Sequence, residues 1–403
     1  MSFIKSHAKK PLVLQLSRDL RRDIKRGHPW VFANNLRHCP PATPGRVAML
    51  LDNRKRKLAQ GFYSPDSPLA FRVCTVETKN PLNDYWAEKQ FERACRLRQM
   101  LFDAQTFDKQ TTGFRLFNGE GDGLPGLVVD LYDDIAVLKL DGLAAIGFWD
   151  SRGIARWLVE RLSLRAVYER ARERGQAGQL LVGKLPPQPI QFLENGVRFG
   201  ADIVHGQKTG FFLDQRDNRQ MIQRLAAQKR VLNLFGYTGG FSIYAALGGA
   251  SHVTTVDIAA PAIKSATTNW QLNNLPDGSH EPIVRDVHKF LAEAIKQKQR
   301  WSLIVIDPPS YASSKGMVKK AINAYQHVIA SAAQLIVSDG FLAASSCSSH
   351  ISMEMFLSIC QEAISKAKRR ATILSISGQP ADHPTPLVFS EFRYLKFVLM
   401  RVE

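Results

Sequence analysis

Two stretches in the last quarter of the chain carry side chains that can make or break bonds. Ser302-Leu303-Ile304-Val305-Ile306 is an apolar run leading straight into Asp307-Pro308-Pro309-Ser310-Tyr311, and Gly340-Phe341-Leu342-Ala343-Ala344-Ser345-Ser346 delivers Cys347-Ser348-Ser349-His350. Proline has no N–H to give a sheet ladder and fixes its own φ, so Pro308 and Pro309 hold Asp307 rigidly where a strand ends. A plain strand terminator needs no more than that, whereas a carboxylate held this way can also steer a substrate. Cys347 sits at the same kind of strand end among polar residues, where a thiol can act as a nucleophile. Cys360 lies on a stretch of helical composition and reads as packing.

Upstream lies a ligand-binding pattern. Val231-Leu232-Asn233-Leu234-Phe235-Gly236-Tyr237-Thr238-Gly239-Gly240-Phe241-Ser242 is an apolar strand, a glycine turn and the start of an apolar helix. Glycine lets the backbone turn sharply and approach a ligand, and the helix that follows opens on unpaired N–H groups. The spacing is G-x-x-G-G and not the G-x-G-x-x-G that cradles a pyrophosphate, which argues against a nicotinamide dinucleotide. About 20 residues further on, Asp257 ends the run Val253-Thr254-Thr255-Val256, where a carboxylate can accept from ribose hydroxyls. Asp286 follows Ile283-Val284-Arg285 and could face an adenine amino group. Either acid alone is an ordinary surface charge; in this order behind a glycine turn they indicate a cofactor containing adenosine.

The elements needed to carry these residues can be read as well. From Ile190 onward, Val231–Phe235, His252–Val256, Pro282–Val284, Ser302–Ile306 and Gly340–Ala344 read as strands separated by helical stretches. That alternation marks βαβ units around a mostly parallel sheet, which binds ligands at its carboxyl edge. Residues 10–76 read instead as a β-rich module with strands at Pro11–Leu16, Val31–Phe32, Val47–Leu51 and Leu58–Tyr63, and a helix over Arg18–Gly27 that ends at its glycine. Between these regions, Trp86, Phe91, Ala94, Leu97 and Leu101 recur at helical spacing over Tyr85–Phe102, and Phe114–Asn118, Leu127–Leu131 and Ile135–Leu140 read as strands. The glycine-rich turn 119–126 reads as a hairpin linker carrying Glu120 and Asp122, although such a turn can also cradle a phosphate. The polar stretch Arg172–Pro189 reads as a loop. The fold class is thus α/β, with domains over 1–76, 77–189 and 190–403.

Charge points to the partner. The 403 residues carry 54 Lys and Arg against 36 Asp and Glu, a net +18. Residues 1–60 hold 14 of the basic side chains against only Asp19, Asp23 and Asp52, so 11 of the 18 net charges are concentrated there. A basic excess spread over a whole module fits a polyanion such as RNA. Five cysteines without a C-x-x-C pair indicate neither a disulfide framework nor a metal site, as expected for a reducing cytoplasm. Met1-Ser2-Phe3-Ile4-Lys5 lacks the apolar core of a signal peptide, and no apolar run approaches the ~20 residues that span a bilayer, so no membrane association is expected.

Taken together, the Asn233–Ser242 turn, Asp307-Pro308-Pro309, Ser346-Cys347-Ser348 and the segment His205-Gly206-Gln207-Lys208-Thr209-Gly210-Phe211-Phe212-Leu213-Asp214-Gln215-Arg216 resemble the bacterial large-subunit ribosomal RNA cytosine-5 methyltransferase I family. Arg26-Gly27-His28-Pro29-Trp30-Val31-Phe32 and the Asn118–Leu127 turn extend the likeness over nearly the whole chain. The resemblance implies an N-terminal PUA-like RNA-binding domain, a small α/β middle domain and a C-terminal Rossmann-like class I methyltransferase domain. It implies S-adenosyl-L-methionine as cofactor, bound by Asn233, Phe235, Gly236, Tyr237, Thr238, Gly239, Gly240, Asp257, Asp286 and Asp307. It further implies ribosomal RNA as substrate, touched by Pro308, Pro309, Lys208 and Arg216, and formation of 5-methylcytosine with Cys347 as nucleophile and Asp307 as its catalytic partner. Lys208, Arg216 and His350 are the candidates for favouring the Cys347 thiolate. A D-P-P motif also serves enzymes that methylate guanine or adenine nitrogens without a cysteine, and a catalytically idle RNA-binding relative would carry the same fold; both alternatives remain open on sequence alone.

Overall fold

The computed structural model describes residues 1–5, 11–102, 110–171, 176, 178–312 and 314–403. They form two units: Met1–Gly196 with Gly200–Leu213 and Ala381–Phe392, and Val197–Phe199 with Asp214–Pro380 and Arg393–Glu403.

In the first unit, β1 (Leu12–Gln15), α1 (Arg21–Lys25), β2 (Trp30–Phe32), β3 (Arg46–Leu51), β4 (Lys57–Tyr63) and β5 (Leu69–Thr75) build a sheet of order β1-β3-β4-β5-β2. Leu14, Leu50, Ala59, Tyr63 and Phe71 pack its core. Helix α1 is shorter than expected from Arg18–Gly27, but Gly27, at φ 103°, follows it as a helix-ending glycine should. Strand β5 was not anticipated, because Arg72 interrupts its apolar pattern; that guanidinium is buried against Glu120 and Asp141.

A second sheet follows in the same unit. After α2 (Asp84–Leu101) come β6 (Gly113–Asn118), β7 (Leu127–Tyr132), β8 (Ile135–Leu140), α3 (Gly142–Phe148), α4 (Ser151–Leu162), β9 (Ala166–Glu169) and β10 (Gln179–Gly183), in the order β10-β9-β8-β7-β6. Asn83 caps α2 by accepting from the Trp86 N–H at 3.1 Å. The glycine-rich turn joins antiparallel β6 and β7, and its acids are occupied internally: Glu120 accepts from Trp30 Nε1 at 2.8 Å, and Asp122 takes two donors of the buried Arg98 at 2.6 and 2.8 Å. The hairpin reading therefore holds. The expected loop Arg172–Pro189 contains β10, a poorly buried edge strand; its residues 172–175 and 177 lie outside the described residues. Phe3 and Ile4 join the core of this second sheet, with the Phe3 N–H on Asp84 Oδ1 at 2.7 Å.

The late segment Ala381–Phe392 also belongs here. Arg98 donates to the Asp382 carbonyl at 2.8 Å, the Arg115 N–H to the Asp382 carboxylate at 3.0 Å, and Asn118 to the Pro384 carbonyl at 2.9 Å, while Phe389 lies edge-on to Trp30.

Strands β11 (Ile190–Glu194) and β12 (Val197–Ala201) carry the chain onward. The second unit holds α5 (Arg216–Leu225), β13 (Arg230–Leu234), α6 (Gly240–Leu247), β14 (His252–Asp257), α7 (Ala260–Leu272), β15 (His280–Val284), α8 (Val287–Lys296), β16 (Trp301–Ile306), α9 (Val318–Leu335), β17 (Ile336–Ser346), α10 (Met353–Lys366), β18 (Ala371–Ser377) and β19 (Lys396–Val402). Its sheet runs β15-β14-β13-β16-β17-β19-β18; the first five strands are parallel, and β19 is antiparallel to both neighbours. The central strands are covered on both faces, which is why they read as unbroken apolar runs. Among the described residues, no helix is long and apolar enough to cross a membrane.

Candidate active site

Register brings the chemistry to one edge. Leu234 pairs with Val256 and Ile306, Ile306 with Ala344, and Asp257 with Val284. The glycine turn, Asp257, Asp286, Asp307 and Cys347 therefore all leave the carboxyl ends of neighbouring parallel strands. Successive strands are laid down outward in opposite directions from the β13/β16 pair, and a sheet of this kind opens a ligand crevice there.

The turn after β13 is tightly built. Phe235, Tyr237 and Gly239 have φ of 58°, 46° and 81°, a left-handed path that brings the chain back on itself. Gly236 is required for a reason the sequence did not reveal: a Cβ there would lie 2.5 Å from the Thr255 methyl and 3.1 Å from Asn233 Nδ2. At Gly239 a Cβ would lie 2.9 Å from that of Ala266, so α7 packs directly beneath. Asp257 clamps the turn, one carboxylate oxygen accepting from the Tyr237 N–H and the other from the Ala259 N–H, both at 2.9 Å. Below the turn, Asn233 donates to Ser242 at 2.9 Å, Ser242 and Thr255 share a hydrogen bond of 2.7 Å, and Thr255 meets His280 Nε2 at 2.8 Å. Asn233 Oδ1 is buried and has no partner among the described residues. A glycine cradle leading into a helix, an anchored carboxylate and an unsatisfied buried acceptor on the strand beneath it fit an adenosine-containing cofactor.

Asp286 caps α8, taking the Lys289 N–H on Oδ1 at 3.0 Å, so its place at the strand end has a structural role beside any ligand contact. Past β16, the Asp307 N–H reaches the Leu234 carbonyl at 3.4 Å, Pro308 is buried and Pro309 exposed. Tyr311 ends this segment with a buried hydroxyl that has no partner among the described residues; burial pushes that phenol up, with smaller contributions from Tyr325 and the Asp286 carboxylate.

Cys347 is half-buried directly after β17. Its neighbours are fixed by a hydroxyl cluster: Ser348 Oγ lies 3.0 Å from both Ser310 Oγ and the Tyr325 hydroxyl, which also takes the Ser346 hydroxyl at 3.0 Å. Gln215, at the entry to α5, donates to Ser345 on β17 at 3.0 Å, and the Tyr394 hydroxyl donates to Asp214 at 2.8 Å. The segment His205–Arg216 is divided: Lys208 belongs to the first unit and lies 4.5 Å from the Phe212 ring, whereas Arg216 opens α5 in the second, its Nε 3.2 Å from Asp217. His350 is half-buried three residues beyond Cys347. Sequence reasoning missed Lys396, the first residue of β19, which pairs in register with Ser346 and is 2% exposed. Its signal was available, since one lysine heads the otherwise apolar Phe397-Val398-Leu399-Met400.

Comparison with known proteins matches residues 156–372 to an S-adenosylmethionine-dependent methyltransferase family and residues 14–75 to a PUA-like domain. The chain is 37% identical over 401 residues to a ribosomal RNA large subunit methyltransferase of Deinococcus radiodurans, covering 97% of this chain and 98% of that one. It is 35% identical to ribosomal RNA large subunit methyltransferase I of Photobacterium profundum, covering 95% and 97%. Among solved structures, a candidate methyltransferase complexed with S-adenosylhomocysteine superposes with a TM-score of 0.83 at 25% identity, covering 97% of this chain and 99% of that one.

Proposed function

Because the chain belongs to the ribosomal RNA large subunit methyltransferase I family, S-adenosylmethionine-dependent enzymes acting on ribosomal RNA, we propose that it forms 5-methylcytosine through a covalent adduct at Cys347. One observation carries this reading: Cys347 and Asp307 leave adjacent parallel strands at the edge where the glycine turn lies. Cytosine C5 is too weak a nucleophile to be methylated unaided. The Cys347 thiolate adds to C6 and places electron density on C5, while Asp307 holds the N3 and amino edge of the ring. The bound cofactor supplies an electrophilic methyl group. Once C5 carries it, a base takes the C5 proton, the C6–S bond breaks and its electrons return to sulfur.

In this assignment the 233–240 turn and Asp257 hold the cofactor, Asp257 at the ribose and Asp286 at the adenine, with Asp307 bordering both ligands. Pro308, Pro309, Lys208 and Arg216 contact RNA, residues 1–76 supply most of the affinity, 77–189 connect, and 190–403 catalyse in the cytoplasm. Asn233 donates beneath the turn and leaves its carbonyl oxygen for the ligand.

The test is RNA carrying 5-fluorocytidine at the target position, where fluorine replaces the departing proton. A stable protein–RNA adduct should form only with S-adenosylmethionine present. Cys347→Ala should lose the adduct and at least about 10³-fold of turnover while still binding cofactor; Cys360→Ala should keep both. Normal methylation by Cys347→Ala would exclude the adduct and move the methyl acceptor to a base nitrogen.

A further inference from the structure

Lys396 is a buried ammonium without a carboxylate partner among the described residues. Its Nζ donates to the Ser348 carbonyl at 2.6 Å and to the Tyr394 carbonyl at 2.7 Å, and its backbone stands opposite Ser346 in the β17/β19 ladder. It thus holds the residue after Cys347 and is paired with the residue before it. Burying a charge with only carbonyl dipoles for company is costly, and an unpaired lysine is kept in such a place when its charge meets another one. Burial lowers Lys396 to about 8, and charge on Cys347 opposes that fall. Such coupling is reciprocal, so a protonated Lys396 lowers the pKa of Cys347 by the same free energy. Cys360 shows the contrast, since burial alone pushes its thiol up to about 12.

We infer that Lys396 is the positioning residue that holds Cys347 as a thiolate, through the charge of its ammonium and its grip on the Ser348 carbonyl. The inference deepens the reading above and rests on it for its catalytic meaning. Among the described groups on the surrounding elements, Arg216 and Arg219 on α5 and His350 beyond β17 are other basic side chains, so the charge of Lys396 is isolated by substituting it alone. Tyr325 on α9 and Tyr311 beyond β16 are phenols pushed up by burial, Tyr394 is engaged with Asp214, and Asp214 and Asp307 are acids.

The experiment is the pH dependence of Cys347 alkylation by iodoacetamide in the full-length protein, followed peptide by peptide in the mass spectrometer, with exposed Cys39 as internal control. Wild-type Cys347 should alkylate with a midpoint at least one unit below the ordinary thiol value of about 8.5. Lys396→Met should raise that midpoint by about one unit or more. Lys396→Gln, which keeps a donor for the carbonyls but no charge, should behave like the Met variant, and Lys396→Arg should stay near wild type. A Lys396→Gln midpoint equal to wild type would overturn the inference by reducing Lys396 to a structural clamp. A wild-type midpoint at or above 8.5 would overturn it even if no variant folds. Neither result depends on turnover, so a failure of the covalent reading, seen as an active Cys347→Ala, is told apart from a failure of this one.

Discussion

At the scale of single residues, the glycine turn shows how little room the site leaves. Gly236 faces the Thr255 methyl, and a Cβ 2.5 Å from it must displace either the turn or β14. Gly236→Ala should cost about 1–3 kcal/mol of stability, the usual range for overpacking, and should weaken S-adenosylmethionine binding. Thr255→Ser deletes the offending methyl while keeping the hydroxyl that Ser242 and His280 use, so the double variant should recover much of both deficits. Urea unfolding and calorimetry check this, and a double variant no better than Gly236→Ala would place the glycine's importance elsewhere. The need for glycine was legible in the sequence; the neighbour that imposes it was not, because Thr255 comes from the next strand and register alone brings it there. Cys347 and Asp307 were legible because each ends an apolar run. Lys396 showed in the sequence only as a lysine heading an apolar run, because the groups it contacts are backbone carbonyls such as that of Ser348, which have no sequence signature.

Secondary-structure elements divide along similar lines. The five parallel strands were all anticipated; β13, β14, β16 and β17 announce themselves as apolar runs buried on both faces, and the exposed edge strand β15 only by its place in the alternation of strands and helices. Strands β18 and β10 were not, because both lie at sheet edges and are largely exposed, and α3 and α4 were hidden in a stretch whose glycines weaken any helical pattern. Strand β15 begins with His280, whose ring stacks on Trp270 at 4.3 Å, and whose pKa burial lowers to about 4. The neutral ring is favoured in the fold, while the unfolded chain takes up a proton near 6.5. The stability His280 contributes is therefore intact above about pH 6.5 and is lost as pH falls toward 4. The advantage of wild type over His280→Gln in thermal unfolding should be larger at pH 7.5 than at pH 5; an advantage that grows on acidification would mean that the ring is protonated in the fold.

Over the whole molecule, much of the basic excess sits on exposed side chains of the PUA-like domain, among them Lys25, Arg26, Lys55 and Lys57. Replacing these four by Gln should weaken RNA binding and make the dependence of log affinity on log salt shallower by about 0.7 for each phosphate no longer neutralised. Filter binding across a salt series reads this, and an unchanged slope would move the RNA-binding surface away from the PUA-like domain. Deleting residues 1–76 would remove Phe3 and Ile4 from the second sheet's core as well, so the four substitutions isolate the charge. The segment Ala381–Phe392 has a consequence for the order of synthesis. A chain made from its N-terminus ordinarily folds its first domain while the rest is still emerging. Here Asp382, Pro384 and Phe389 add contacts to the first unit, and β19, which brings Lys396, joins the second, only after nearly the whole chain has been made. A chain that stops before residue 381 therefore lacks part of both units, so residues 381–403 complete the first unit and the catalytic sheet together.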